Sequence, residues 1–248
     1  AHAIAIRTAT TELRQTLKIK DVRLLSGIAV VTIMIKPAWC PGQCIYCPGG
    51  LNFGTPKSYT GKEPAARRAA QNDFDSYRQV EARLKQFVLI GHPTEKCELI
   101  IQGGTFNALP YDYQLSFVKG AYDAFNGFHS TSLQEAVNYN ETAKHRLVGL
   151  TFETRPDYCT NKDLRSFLDF GVTRIEMGVQ SLDEEVLRIT KRGHAMQDVF
   201  DATQRSKDAF FKMVYHMMPG LFSTPERDVK EFEELFANPA YRPDMLKI

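Results

Sequence analysis

Short runs of β-branched and aliphatic residues alternate along this chain with longer amphipathic stretches, and this alternation limits the fold more than any other feature. The run 28–35 ends at Lys36-Pro37, where a proline disfavours further regular pairing. Further runs at 97–102, 147–153, 172–178 and 211–217 read as strands, and 245–248 begins a sixth. Gly103-Gly104, Arg155-Pro156 and Pro219-Gly220 close three of them. Between the runs, helical periodicity predicts helices over 63–90 (Pro64 near its start), 111–125, 132–143, 161–170, 183–190, 197–209 and 225–237. Strands alternating with helices predict a parallel sheet with right-handed crossovers. Six such units predict an α/β fold of the incomplete barrel type, (β/α)6. No internal repeat, low-complexity tract or linker divides the chain. It stops inside an apolar run, which predicts a fragment of a longer protein.

The chemistry is concentrated just after the first strand. Cys40, Cys44 and Cys47 fall within eight residues as C-P-G-Q-C-I-Y-C. Three thiolates are one short of a closed structural zinc site, which takes four ligands, and ferredoxin-type clusters are also filled by four cysteines. A [4Fe–4S] cubane held by three cysteines keeps one iron open to a substrate or cofactor. Pro41 and Gly42 let the backbone turn so that the thiolates face one point. Tyr46 supplies a ring beside the last cysteine. The bland alternative is a zinc knuckle or a group of buried thiols, but structural cysteines seldom bunch in a Gly/Pro loop. The C-x3-C-x-aromatic-C pattern resembles that of radical S-adenosylmethionine (SAM) enzymes.

Ligands of barrels of this class gather at the C-terminal ends of the strands, and several strand ends here are unusual. Strand two ends in Gly103-Gly104-Thr105, whose small residues leave backbone groups free to meet a ligand. Strand three ends in Glu153-Thr-Arg-Pro-Asp, and strand four carries Glu176-Met-Gly-Val-Gln180. A period of two puts Glu176, Gly178 and Gln180 on one face, directed inward. A carboxylate and an amide there suit the hydroxyls and amino-acid group of a nucleoside ligand. The alternative is a polar network bonded only to itself. Met217 and Met218 at the end of strand five read as packing, and His216 beside them does not by itself read as functional. Cys97 reads as a small core residue, and Cys159 as a side chain that could approach the rim of the site.

Composition excludes several classes. A chain of 248 residues with 43% hydrophobic and 24% charged residues is ordinary for a soluble globular protein. The longest apolar run is too short to span a bilayer, and no secretory signal is visible. Five cysteines, three in one loop, are no disulfide framework, which points to a reducing cytoplasm. The net charge of +2 says little, but the cations are unevenly placed. Arg7, Arg14, Lys18, Lys20 and Arg23 lead the chain, and Arg67, Arg68, Arg78, Arg83 and Lys85 lie on the predicted helix 63–90. Such a row could follow a phosphate backbone, or it could be a solvated helix face. Arg67, Arg68, Arg78 and Lys85 are the candidate RNA contacts.

Nine ordered strings carry a more specific resemblance: L-S-G-I-A-V-V, K-P…C-P-G-Q-C-I-Y-C-P-G-G, S-Y-T-G-K-E-P, G-H-P-T-E-K, I-I-Q-G-G-T-F, E-T-R-P-D-Y-C-T, T-R-I-E-M-G-V-Q-S, K-R-G-H and H-M-M-P-G-L. They resemble the family of the Elongator catalytic subunit, the tRNA wobble-uridine carboxymethyl-forming enzymes, with the microbial stand-alone members most similar. The likeness begins at Val22 and corresponds to the radical SAM half. Residues 1–21 then read as a remnant of the family's basic N-terminal extension and 22–248 as the partial barrel, with the family's acetyltransferase domain outside this chain.

The resemblance implies a reaction. Cys40, Cys44 and Cys47 would hold the [4Fe–4S] cluster, and Tyr46, Gly103, Gly104, Thr105, Glu153, Glu176 and Gln180 would face the cluster and SAM. Reductive cleavage of SAM would give a 5′-deoxyadenosyl radical that takes hydrogen from acetyl-CoA. The resulting carbon radical would add to C5 of the tRNA wobble uridine, and hydrolysis would leave a carboxymethyl group. Lys96, in G-H-P-T-E-K, matches a family lysine associated with acetyl-CoA. Other Elongator-type subunits are possible partners under this reading. Two alternatives stay open: another radical SAM reaction of the methylthiolation or oxidative type, and a catalytically silent tRNA-binding scaffold.

Overall fold

The computed structural model describes residues 25–248. Residues 1–21, and with them Arg7, Arg14, Lys18 and Lys20, lie outside the described residues, as does Arg23. The strands are β1 (Ala29–Met34), β2 (Lys96–Gln102), β3 (Arg146–Thr154), β4 (Arg174–Gln180), β5 (Lys212–Met217) and β6 (Met245–Lys247). They form one sheet in the order β1-β2-β3-β4-β5-β6, with every adjacent pair parallel. Sequential order means that each crossover steps to the next strand in one direction, so right-handed connections lay the helices on one face. Among the described residues no pairing joins β6 to β1, and the sheet is an open half-barrel.

The helices are α1 (Pro64–Gln71), α2 (Ser76–Leu89), α3 (Tyr111–Asn126), α4 (Leu133–Asn140), α5 (Asn161–Asp169), α6 (Glu184–Ile189), α7 (Met196–Asp208) and α8 (Pro225–Ala237). Local chemistry sets their starts. Ser132 accepts a bond from the Glu135 amide at α4, Thr160 and Asp163 form a reciprocal capping box at α5, and Thr224 with Pro225 starts α8.

One sequence expectation fails here. The predicted helix 63–90 is two helices, because Asp73 and Phe74 adopt left-handed backbone conformations (φ 53° and 55°) and Asp75 caps α2 by accepting from the Arg78 amide. An Asn-Asp turn followed by an aspartate cap competes successfully with helix continuation. The break matters for packing: α2 turns its buried Gln79 onto β1. The Gln79 side chain accepts from the Met34 amide and donates to the Met34 carbonyl, both at 2.9 Å, which covers an exposed edge of the sheet.

The core lies between the sheet and its helices. Val31 and Ile33 of β1, Leu99 and Ile101 of β2 and Phe152 of β3 meet Val118, Ala121 and Phe167 from the helices, all almost fully buried. Phe152 is the centre of an aromatic group, with ring centroids 4.7 Å from Phe106, 5.3 Å from Phe167 and 5.9 Å from Phe170. The central strands β3 and β4 are buried on both faces, as expected when helices cover one side and a filled concavity the other. Truncating Phe152 to alanine should therefore cost about 3–5 kcal/mol in urea unfolding, from lost burial plus a residual cavity. A loss below about 1 kcal/mol would show that this aromatic group does not hold the sheet to its helices.

Candidate functional site

The C-terminal ends of the strands surround a cavity of about 490 Å³. Its wall includes Cys40, Cys44, Tyr46 and Cys47 from the loop after β1, Gly104 and Thr105 after β2, and Glu153 to Arg155 on β3. Glu176, Gly178 and Gln180 come from β4, His216 from β5 and Lys247 from β6. Tyr59, Lys57 and Arg192 complete it. The strand-end rule thus gathers residues 200 positions apart in sequence around one space.

The cysteine loop is fixed by its neighbours. The Cys47 amide donates to the Cys44 carbonyl at 3.1 Å, closing a turn, and the Ile45 amide donates to the Thr190 carbonyl at 3.1 Å. The Ser58 amide donates to Cys47 Sγ at 3.3 Å, and Thr105 Oγ1 lies 3.6 Å from Cys40 Sγ. Arg192 Nη1 donates to Cys44 Sγ at 3.3 Å and Nη2 to the Gly178 carbonyl. A single tetrahedral ion, with bonds to sulfur of about 2.3 Å, would draw its sulfurs to about 4 Å apart. Among the described residues the set of three potential ligands gathered within 4.8 Å is Glu153, Glu176 and His216, so the three sulfurs are not all drawn that close together. Three half-buried sulfurs on one loop, with amide and guanidinium donors aimed at them, fit an iron–sulfur cluster.

The opposite wall is a compact charge network. Parallel register places Glu153 of β3 directly beside Glu176 of β4. Glu176 Oε2 is 3.0 Å from His216 Nε2 and 2.9 Å from Lys247 Nζ. Glu153 accepts from the Tyr59 hydroxyl at 2.8 Å and from the Gly103 amide at 3.3 Å. Burial pushes the Glu176 carboxyl up, but His216 and Lys247 overcome it and hold the group down at about 2. Glu153 goes the other way: burial raises it, and His216 and Lys247 only partly offset this. The Lys247 ammonium already supplies the positive charge that a metal ion would bring to these carboxylates.

The structure brings most of the expected residues together. Cys40, Cys44, Cys47, Tyr46, Gly104, Thr105, Glu153, Glu176 and Gln180 all line the cavity. Burial, chiefly, pushes the Tyr46 hydroxyl up to about 12, so it stays protonated. Gly103 stands behind the wall, where its backbone (φ 132°) and its contact with Ile35 leave no room for a side chain. Gln180 has a left-handed backbone (φ 75°) at the irregularity between β4 and β5, which turns its side chain into the cavity. Lys96 is elsewhere: it is the exposed first residue of β2, at the opposite end of the strand from the cavity. Arg67 and Arg68 lie on α1 and Arg78 and Lys85 on α2, all outside the cavity wall. Arg67 is exposed and Arg68 half-buried. Arg78 pairs with Asp73 at 2.5 Å and Lys85 with Glu81 at 2.7 Å.

Cys97 is buried, its thiol donating to the Thr94 carbonyl and pushed up to about 12 by burial, as expected of a core residue. Cys159 is also fully buried, beside Ser206 Oγ at 3.3 Å, and does not line the cavity. Sequence reasoning did not single out Tyr59, Arg155, Arg192 or Lys247, and it gave His216 no role. The signal was present for the two arginines, since each stands in a Gly- or Pro-flanked charged string, Arg155 after β3 in E-T-R-P-D and Arg192 after α6 in K-R-G-H.

Comparison with known proteins agrees with this geometry. The model of the radical SAM superfamily matches residues 34–236. The tRNA uridine(34) acetyltransferase of Methanocaldococcus infernus is 52% identical over 237 residues, covering 94% of this chain and 44% of that protein. Elongator complex protein 3 of Danio rerio is 46% identical over 243 residues, with the same coverage of 94% and 44%. The chain therefore spans less than half the length of these curated relatives. Among solved structures, the archaeal Methanocaldococcus infernus Elp3 with an N-terminal deletion superposes with a TM-score of 0.75 at 43% identity, over 90% of this chain and 45% of that one. The maturase HydG shares the fold, with a TM-score of 0.53 at 9% identity over 99% of this chain and 55% of its own.

The two carboxylates make the stability of the chain pH-dependent with opposite signs. Glu176, depressed from 4.5 to about 2, contributes stability that is full above about pH 4.5 and lost as pH falls through about 2. That interval corresponds to roughly 3 kcal/mol. Glu153, raised, contributes stability while protonated and loses it as pH rises through its elevated value. Glu176→Gln should thus lower stability at pH 7 by up to about 3 kcal/mol, less whatever relief Glu153 gains from losing a like-charged neighbour. The gap between the two proteins should close between about pH 4.5 and about 2. Equal urea stability at pH 7 with identical acid limbs would contradict the charge network.

Proposed function

This chain belongs to the radical SAM superfamily and, within it, to the family of the tRNA uridine(34) acetyltransferases and Elongator complex protein 3, and from that premise we propose that it is the radical SAM part of a tRNA-modifying enzyme. The reaction we assign is carboxymethylation at C5 of the wobble uridine with acetyl-CoA as carbon donor, in the cytoplasm. The observation that carries the reading is that three cysteines in one loop open onto the same cavity as the polar ends of four strands.

Cys40, Cys44 and Cys47 would hold a [4Fe–4S] cluster, which when bound supplies the electron for reductive cleavage of SAM. The remaining wall suits SAM itself. A cavity of about 490 Å³ lies within the size range of small-ligand sites. Glu176 and Gln180 offer acceptors and a donor for ribose hydroxyls and the amino group, and Arg192, whose buried Nε has no partner in the wall, suits the carboxylate. Tyr59 and the Gly103 amide fix the Glu153 carboxyl, so that it is oriented before any ligand arrives. Burial on the concave face keeps bulk water from the reacting centre.

The phosphate-bearing parts of tRNA and acetyl-CoA would be held by surfaces outside the cavity, with the uridine and the acetyl group reaching into it. Arg67 and Arg68 on α1, with Arg78 and Lys85 on α2, form the proposed phosphate track. The ion pairs of Arg78 and Lys85 are exposed, worth little individually, and can give way to phosphate. Binding through such contacts falls steeply with salt as counterions are released. Lys96, at the foot of β2, is the proposed contact for an anionic part of acetyl-CoA. Other Elongator-type subunits are proposed partners of the whole protein.

Anaerobic reconstitution followed by assay of 5′-deoxyadenosine from SAM, with tRNA and acetyl-CoA present, tests the reading. The wild-type chain should carry about four irons and form the nucleoside. Cys44→Ala should abolish both, whereas Cys97→Ala, in the core behind the sheet, should retain both. A silent scaffold would yield none from any variant, and equal loss in the two cysteine variants would overturn the ligand assignment.

A further inference from the structure

Arg155 is a buried cation whose geometry has no role in the sheet. It follows the last residue of β3 and is 4% exposed. Asp157 grips one edge of its guanidinium, with Nε to Oδ1 at 2.9 Å and Nη2 to Oδ2 at 2.8 Å. The remaining nitrogen, Nη1, is buried and has no hydrogen-bond partner. Leaving a charged donor unpaired in the interior costs far more than an ordinary hydrogen bond returns. Such a group implies a ligand.

The cysteine loop shows where Nη1 points. A Cβ at Gly42 would stand 2.5 Å from Arg155 Nη1 and 3.3 Å from Cys44 Sγ. Gly42 does not have the left-handed backbone that favours glycine. Its lack of a side chain is instead what lets the guanidinium reach the sulfur corner. On the other side a Cβ at Gly193 would lie 3.2 Å from Nη2, although the left-handed backbone there (φ 82°) already favours glycine. Arg192, the second guanidinium nearby, already donates to Cys44 Sγ, and Arg155 approaches the same corner of the loop across Gly42.

We propose that Arg155, clamped by Asp157 and admitted by Gly42, donates Nη1–H to the sulfur of the iron–sulfur cluster at the Cys44 corner and thereby holds its reduction potential up, with Asp157 as its positioning residue. A donor and a positive charge beside the sulfurs stabilise the more negative, reduced state, which is one of the main protein levers on cluster potential. Asp157 acts through Arg155: it sets the guanidinium plane and leaves one nitrogen to face the cluster. This inference rests on the cluster assignment made above.

A redox titration of the anaerobically reconstituted chain, followed by electron paramagnetic resonance of the reduced cluster, tests it without reference to turnover. Arg155→Gln should keep the wild-type iron content and shift the midpoint to more negative potential. Asp157→Asn, which leaves the guanidinium in place but loosens its clamp, should shift it in the same direction by less. Gly42→Ala should reproduce the shift by displacing Nη1. Unchanged midpoints in both Arg155→Gln and Asp157→Asn at full iron content would overturn the proposal and leave the cluster assignment intact. A wild-type chain that holds no cluster would overturn that assignment itself. Should Arg155→Gln lose its iron, Asp157→Asn decides alone: a negative shift supports the role and a wild-type midpoint refutes it.

Discussion

Parallel register sets Glu153 beside Glu176 on the concave face of the sheet, and much of the site follows from having to hold two adjacent carboxylates away from water. Like charges directly opposed on neighbouring strands repel, and burial sharpens the cost. The chain answers with a cation or donor from each flank: His216 and Lys247 from β5 and β6, Tyr59 and the Gly103 amide from the other side. His216 and Lys247 are themselves register partners, so the same strand pairing that creates the problem delivers the compensation. One carboxylate ends ionised and the other raised, a division of roles that leaves donors and acceptors facing the cavity.

The other half of the cavity inverts the signs. There the expected negative charge belongs to three cysteine thiolates, and Arg155 and Arg192 approach them from the segments after β3 and α6. Two poorly hydrated guanidinia suit such a buried corner better than lysines would. Pushed down to about 3, first by burial and then by these two arginines, the neighbouring His194 stays neutral and does not add a third positive charge. The cavity therefore runs from an anionic sulfur corner flanked by cations to a carboxylate wall held by a lysine and a histidine. A ligand carrying an amino group, a carboxylate and hydroxyls finds a complementary partner along that line.

How much of this was legible in the sequence depended on range. The cysteine loop, the strand ends and the inward face of Glu176, Gly178 and Gln180 came from local spacing, and the structure places them as expected. The six strands in sequential order followed from alternation alone. What was not legible needed either backbone detail or partners distant in sequence. The break at Asp73-Phe74 turns on two left-handed residues that helical periodicity does not register. His216 carried no functional signal because its partner, Glu176, is 40 positions away, and Lys247 is 71 positions from the same carboxylate. Arg155 and Arg192 drew no reading of their own, because the glycines that open space for them meet them only in the fold. Lys96 shows a different limit: its assignment comes from a motif match, and its place at the far end of its strand from the cavity is one that spacing alone does not give.

The central claim is that three cysteines hold a cluster and leave one corner open to SAM. Mössbauer spectroscopy of chain reconstituted with iron-57, recorded with and without SAM, addresses it most directly. The account predicts that one iron in four changes its environment when SAM is added while the other three stay as they were. A spectrum in which no iron responds, or in which all four are equivalent throughout, would contradict it.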